Sequence, residues 1–258
     1  GETLNVVLFC PDDLNLIKEG AAARRRLMDN AISQIRPRYA EYLSQFNKFY
    51  ESKTRILKDW REKPSLLDTL DEFSDGMCRT SAQLIRYRAS FAARLADEAA
   101  PIHSEFSGAD EKLGIEYSTV SAVKDPTASA KEIFYDLCDH MEAHRRAELD
   151  SGQCLSGAHK DDLIISINGK NARSFASQGQ TRTAAISIKL AERALLLQDI
   201  GEEPVLLLDD VLSELDAGRQ DFVLNQLKTG QVFITCCETD RLTKLGQVLT
   251  VRNGEIGG

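Results

Sequence analysis

The sequence is poor in several things that would define common classes of protein. Among its 258 residues there are only 4 histidines and a single tryptophan. No apolar run approaches the roughly 20 residues that cross a bilayer as a helix, and Gly1 to Asn5 hold no basic stretch ahead of an apolar one, so nothing reads as a secretory signal. Cys10, Cys78, Cys138, Cys154, Cys236 and Cys237 form no CxxC pair and lie far apart except for the last two. They read as reduced thiols of a cytoplasmic protein, with Cys236 and Cys237 as inert packing residues at a strand end. His140 and His144 are four apart, but the order is HMEAH and not HExxH and no third ligand is evident, so a solvated helix face is the better reading. There is no internal repeat. Hydrophobic residues at 42% and charged residues at 28% match ordinary globular usage and exclude a disordered or collagen-like chain. The length suits one large or two modest domains.

A net charge of −8 excludes a wholly basic nucleic-acid coat, but the charge is uneven. Lys18 to Lys63 carry 12 Lys and Arg against 6 Asp and Glu, whereas Pro64 to Asp150 carry 9 against 17. Arg24, Arg25 and Arg26, followed by Arg36 and Arg38, form a candidate phosphate-binding run, although such runs are more often a solvated helix face.

Hydrophobic spacing divides the chain. Leu4 to Phe9 is a short apolar run closed by Cys10 and Pro11, a buried strand. From Arg24 to Trp60 apolar residues recur three or four apart, which predicts a long helix kinked at Pro37. Leu67 to Leu95 repeat the pattern and predict a second helix ending near Pro101. Stripes of this kind bury against each other as an antiparallel arm. LGIEYSTV, within Gly108 to Lys124, is a weak strand, and Thr127 to Leu149 another amphipathic helix. Asp162 to Ile167 alternate as a strand does, with Asn168 and Gly169 as a hairpin turn. A helix is expected over about Gly179 to Gln198. Val205 to Leu208 and Gln231 to Thr235 read as buried strands, and Val248 to Arg252 with Asn253 and Gly254 as an edge hairpin. Strands alternating with helices imply an α/β layer structure.

Three segments carry chemistry. VLLLDD, Val205 to Asp210, is an apolar strand ending in two acids at its carboxyl edge, where α/β sheets bind ligands. One acid suits Mg²⁺ and the next suits an attacking water. SFASQGQTRT, Ser174 to Thr183, places Ser177, Gln178, Gly179 and Gln180 at the start of a helical pattern. Free backbone N–H groups there favour phosphate oxygens, and Gly179 allows close approach. SELD, Ser213 to Asp216, follows as a polar turn. Each alone could be ordinary structure: a strand leaving the core, a helix cap, or the start of the next helix.

Taken together and in this order, S-x-G-Q, an apolar strand with two acids, and S-x-L-D resemble the signature motif, Walker B strand and D-loop of ABC-type ATPases. Within that superfamily the sequence resembles the RecF family, bacterial recombination mediators related to the SMC and RecN proteins. The resembling pieces are VVLFCPDDLNLIKEG, RRRLMDNAISQIRPRY, GAHKDDLIISINGKNARSFASQGQTRT and PVLLLDDVLSELD, spread over nearly the whole chain. The resemblance implies an α/β fold, part of an ABC-type ATPase head with a mixed sheet, bearing an all-helical arm. It implies the end of an N-terminal ATPase lobe over 1–19, the arm over 20–108 and the C-terminal half of the head over 109–258, with 125–150 open to either. It further implies ATP and Mg²⁺ as cofactors, with Asp209 serving the metal and Asp210 activating water. Ser177, Gln178, Gly179 and Gln180 would meet the γ-phosphate of a partner subunit, and Asp216 would bridge the homodimer. Arg24, Arg25, Arg26, Arg36 and Arg38 would touch gapped, single-stranded or junction DNA. RecO and RecR are implied partners, and loading of RecA the implied outcome.

The departures are also informative. No GxxxxGK[ST] segment is present: Gly169 and Lys170 are followed by Asn171. The chain thus resembles the C-terminal two-thirds of a RecF-like protein and on its own is expected to be inactive. The second Walker B acid is Asp210, where transporter ATPases usually carry Glu, and Thr235 and Cys236 stand where they place a His. Two rival readings stay open here. One is a transporter-type ATPase subunit, disfavoured by the helical arm and by SQGQ in place of LSGGQ. The other is a helical interaction module without nucleotide chemistry.

Overall fold

A computed structural model describes residues 4–236, 246–252 and 255–257. Val6–Phe9 (β1), Val205–Asp209 (β5) and Val232–Thr235 (β6) form a parallel sheet in the order β1-β5-β6. Leu113–Ser118 (β2), Asp162–Ile167 (β3) and Lys170–Asn171 (β4) form an antiparallel sheet, β2-β3-β4. Thr250–Arg252 (β7) pairs with Glu255–Gly257 (β8); the expected turn residues Asn253 and Gly254 lie outside the described residues, as does Cys237.

Seven α-helices are described: Ala21–Ile35 (α1), Pro37–Asp59 (α2), Leu70–Ser107 (α3), Ala130–Ser151 (α4), Ala172–Phe175 (α5), Gln178–Ile200 (α6) and Ala217–Asn225 (α7). Among these, none is long and apolar enough to cross a membrane.

Two helix limits depart from the sequence expectation. Pro37 does not kink one long helix but separates two: Arg36 before it is extended, with φ −138° and ψ 90°, because the proline ring drives the preceding residue out of the α region. Pro101, expected near a helix end, lies inside α3, which continues to Ser107 and ends at the left-handed Gly108. Pro101 itself is exposed. Beyond it His103 is wholly buried and Phe106 stacks on Phe222 at 4.0 Å, contacts that outweigh one lost helical hydrogen bond.

The arm is a helical hairpin. Tyr39 meets Tyr87 edge to face, while Phe49 meets Phe73 and lies against Gly76. As the number rises along α2 it falls along α3, so the two run antiparallel. Gly76 has no Cβ because the Phe49 ring occupies that space, 2.5 Å from where one would stand. α4 joins this side: a Lys53–Glu148 ion pair at 2.6 Å is buried between α2 and α4, and Trp60 donates to the Leu149 carbonyl. One hydrophobic core nevertheless runs from α2 and α3 through both sheets and α6, so position 108 divides no separate cores.

The parallel sheet has one covered face. Val7, Phe9, Leu206 and Leu208 are buried, with α6 packed against β1 on that side, whereas Leu8 and Phe233 are about half exposed. Register aligns Leu8, Leu207 and Phe233 in one row. The open edge of β1 is capped by one side chain: Val6 N–H donates to Gln34 Oε1 at 2.7 Å and its carbonyl accepts from Gln34 Nε2 at 3.0 Å.

Candidate nucleotide site

Ser177 is the N-cap of α6, its hydroxyl accepting from Gln180 N–H at 3.2 Å while Ser177 N–H donates to Gln180 Oε1 at 2.9 Å. This reciprocal capping box uses the Ser177 and Gln180 amides. The Gln178 and Gly179 amides at the positive end of a 23-residue helix remain for an anion. Gln180 is itself held by Glu111, which accepts from Gln180 Nε2 at 2.7 Å and contacts His103 Nε2 at 3.2 Å. Burial pushes the His103 imidazole below its usual range, with Glu111 pulling the other way.

Asp216 is the N-cap of α7, accepting from Arg219 N–H at 3.0 Å. That bond, reinforced by the Arg219 guanidinium, holds its carboxyl below the usual range. Arg219 then reaches α6, donating to the Gly179 carbonyl at 3.0 Å and to Thr183 Oγ1 at 3.2 Å. A Cβ on Gly179 would stand 3.0 Å from this guanidinium. Glycine is therefore used here for close approach. Beside Asp216 and Gln180 opens a cleft of about 440 Å³ with Phe106 and Phe222 on its wall.

The acids lie at the carboxyl end of β5. Asp209 and Asp210 are exposed, and among the described residues neither has an ion-pair partner. Asp209 Oδ1 accepts from the Thr235 hydroxyl at 2.7 Å. Asp210 adopts φ +50°, the left-handed region that costs most residues energy and that Asp tolerates better. Its N–H donates to Thr235 Oγ1 at 2.9 Å, and its carbonyl accepts from Ser213 at 2.7 Å. A divalent cation fits this donor set: exposed, unpaired carboxylate oxygen is what Mg²⁺ takes from a protein that also binds phosphate.

Arg219 and Glu111 carry no mark in the sequence motifs. The Asp216 to Arg219 spacing is a capping signal that could flag the first; Glu111 sits far from Gln180 in sequence and gives none.

Of the arginine run, Arg24 needs correction. Its side chain is 4% exposed and ion-paired with Asp162 at 2.6 Å, and it also donates to the Leu16 and Glu19 carbonyls. Its donors are spent inside the protein and none faces a phosphate. Arg25 is half-buried and donates to the Asp161 carbonyl at 2.7 Å. Arg26, Arg36 and Arg38 are exposed, Arg36 lying 3.5 Å from Asp199.

The fold and these termini define the class: an α/β protein with part of an ABC-type ATPase head and a helical arm. Comparison with known proteins gives the family. The chain is 39% identical over 241 residues to the DNA replication and repair protein RecF of Agathobacter rectalis, covering 93% of this chain and 64% of that protein. Against RecF of Clostridium kluyveri identity is 36% over 257 residues, covering 98% of this chain and 69% of the relative. A solved structure of the recombination mediator protein RecF, described as RecF-ATPrS in the RecFOR pathway, superimposes with a TM-score of 0.88 at 32% identity, over 98% of this chain and 67% of that one. No protein-family model matches the chain. The chain belongs to the RecF family, and it spans about two-thirds of the length of these relatives.

Proposed function

We propose that the complete protein is a cytoplasmic RecF-type ATPase that dimerises through ATP, binds gapped or junction DNA and, with RecO and RecR, promotes RecA loading. In this reading 1–19 and 109–258 contribute to the head, and the arm over 20–108 is extended by α4. The observation that carries it is the tie made by Arg219, which joins the start of the signature helix to Asp216, a few residues along the chain from a strand that ends in two acids without ion-pair partners among the described residues. Relatives described as RecF with ATP support the nucleotide.

The Gln178 and Gly179 amides and the Ser177 hydroxyl receive phosphate oxygens of a nucleotide held by the partner subunit. The α6 N-terminus supplies partial positive charge there. Asp209 holds the metal and Asp210 accepts the proton of the attacking water. The Asp209 carboxylate would hold Mg²⁺, which would supply positive charge against the phosphates. The chain by itself, with no P-loop motif, hydrolyses no ATP in this reading.

Asp210→Asn in the complete protein is the test. It keeps the shape and loses the base, so ATP binding is retained, turnover falls by about a hundred-fold or more, and ATP-induced dimers persist longer in sedimentation. Unchanged turnover would remove Asp210 from the chemistry.

A further inference from the structure

The two acids at the end of β5, Asp209 and Asp210, share one hydroxyl. Thr235, last residue of β6, is in register with Asp209. Its Oγ1 lies 2.7 Å from Asp209 Oδ1 and 2.9 Å from the Asp210 nitrogen. A hydroxyl has one proton to give and two lone pairs. An ionised carboxylate only accepts and a backbone N–H only donates, so the orientation is forced: Thr235 donates to Asp209 and accepts from Asp210.

We propose that Thr235 is the positioning residue of this acid pair: its hydroxyl fixes the Asp209 carboxylate and, together with the Thr235 carbonyl, which accepts from the same Asp210 N–H at 3.2 Å, holds the left-handed Asp210 backbone. The proposal rests on the reading of Asp209 and Asp210 given above and adds a role that reading does not contain. Three features support it. Asp210 holds a conformation L-residues seldom adopt, and it is kept there by bonds to both its peptide groups, from Thr235 on one side and Ser213 on the other. Thr235 engages one oxygen of Asp209, leaving the second for a cation. Its single proton is already committed, so Thr235 has none to donate to a phosphate. It therefore acts through the acids and not on the nucleotide, unlike a ring nitrogen that could donate at this position.

The test is made in the complete protein with Thr235→Val, close to threonine in shape but without the hydroxyl, and Thr235→Ser, which keeps it. Losing a bond to a charged group is expected to lower kcat about ten- to a hundred-fold. KM for ATP should stay within about two-fold, because the loss falls on the arrangement of the acids and not on nucleotide binding. Mn²⁺, used as a paramagnetic probe in the presence of ATP, should bind more weakly to Thr235→Val by electron spin resonance, and Thr235→Ser should restore both measurements. Should the valine variant fail to fold, Thr235→Ala removes the same hydroxyl and is read in the same way. Wild-type kcat and Mn²⁺ affinity in the valine or alanine variant, or a serine variant as impaired as they are, would overturn the proposal. Asp210→Asn measured alongside separates the two levels. If it stalls hydrolysis while the hydroxyl-free variant behaves as wild type, only the role of Thr235 falls. If it too turns over normally, the reading of the acids falls with it.

Discussion

Two polar regions of this molecule are built in opposite ways. Beneath the arm, Arg88 of α3 is almost wholly buried. It donates to Asp29 of α1 at 2.8 Å, to Asp161 at 2.7 Å and to the Ala158 carbonyl at 2.7 Å. Asp161 is 0% exposed and also accepts from Tyr117 and Thr119, each at 2.6 Å, while Tyr39 completes the set by hydrogen bonding to Asp29. Burial raises the Asp161 carboxyl above the usual range against the opposing pull of Arg88, Thr119 and Tyr117. At the edge of the parallel sheet Asp209 and Asp210 are exposed, and among the described residues the bonds made by Asp210 use its backbone and leave its carboxylate free. The first region uses its hydrogen-bonding capacity to lock helices onto strands. The second holds capacity in reserve, which is what a ligand site requires.

The contrast breaks most visibly at Arg88. Arg88→Met would leave two carboxylates facing low-dielectric surroundings with no cation, a loss of about 3–5 kcal/mol. It should lower the denaturant midpoint of the chain sharply. Asp210→Asn, at an exposed left-handed position that Asn also tolerates, should leave the unfolding free energy within about 0.5 kcal/mol of wild type and the midpoint little changed. Equal effects of the two would mean that the buried network is not the stronger tie.

This division is only half legible in the sequence. The limits of β3 over Asp162–Ile167 can be read directly, because its alternation matches a half-buried strand. β5 is as plain, since an apolar run that stops at two adjacent acids fits a strand leaving the core at its carboxyl end and little else. The caps at Ser177 and Asp216 can be placed because capping is local chemistry. Arg24 reads as a surface cation because nothing in RRR distinguishes the arginine that turns inward; its partner Asp162 is 138 residues away. The Arg88 network joins helices and strands across the fold and leaves no periodic trace. Pro101 reads as a stop because a helix-breaking residue is visible locally, while the burial of His103 that carries α3 past it is not.

Within the buried side, His159 sharpens the comparison through pH. It donates from Nε2 to the Cys154 carbonyl at 2.9 Å and packs on Tyr50, and burial pushes its pKa down from 6.5 to about 4. A base whose folded pKa is lowered takes up its proton first in the unfolded chain. Stability is therefore complete above pH 6.5 and falls as pH drops toward about 4, by up to about 3 kcal/mol. His103 and His140 are shifted in the same direction and add to the slope. His159→Gln should flatten the pH dependence of the denaturant midpoint between 6.5 and 4. An unchanged slope would show that the imidazole reaches water as it titrates.

The smallest expected effect divides the arginine run itself. Arg24 belongs with the buried network, whereas Arg26 and Arg38 are exposed and, among the described residues, have no ion-pair partner. If the complete protein uses this face for DNA, each exposed arginine that meets a phosphate releases about one counterion, and the slope of log affinity against log salt changes by about 0.9 for each contact removed. Arg26→Gln with Arg38→Gln should thus flatten the slope by about 2, weaken binding to all sequences alike and leave the denaturant midpoint where it was. Arg24→Gln should do the reverse: it strips Asp162 and the Leu16, Ile17 and Glu19 carbonyls of their donor, lowering the midpoint while the slope of the folded fraction stays put. Arg36, shared with Asp199, should fall between them, because its ion pair must be given up before a phosphate can replace it. A flattened slope in the Arg24 variant with unchanged stability would place that guanidinium outside the protein and reverse the assignment. An unaltered slope in the double variant would leave Arg26 and Arg38 as no more than a solvated helix face.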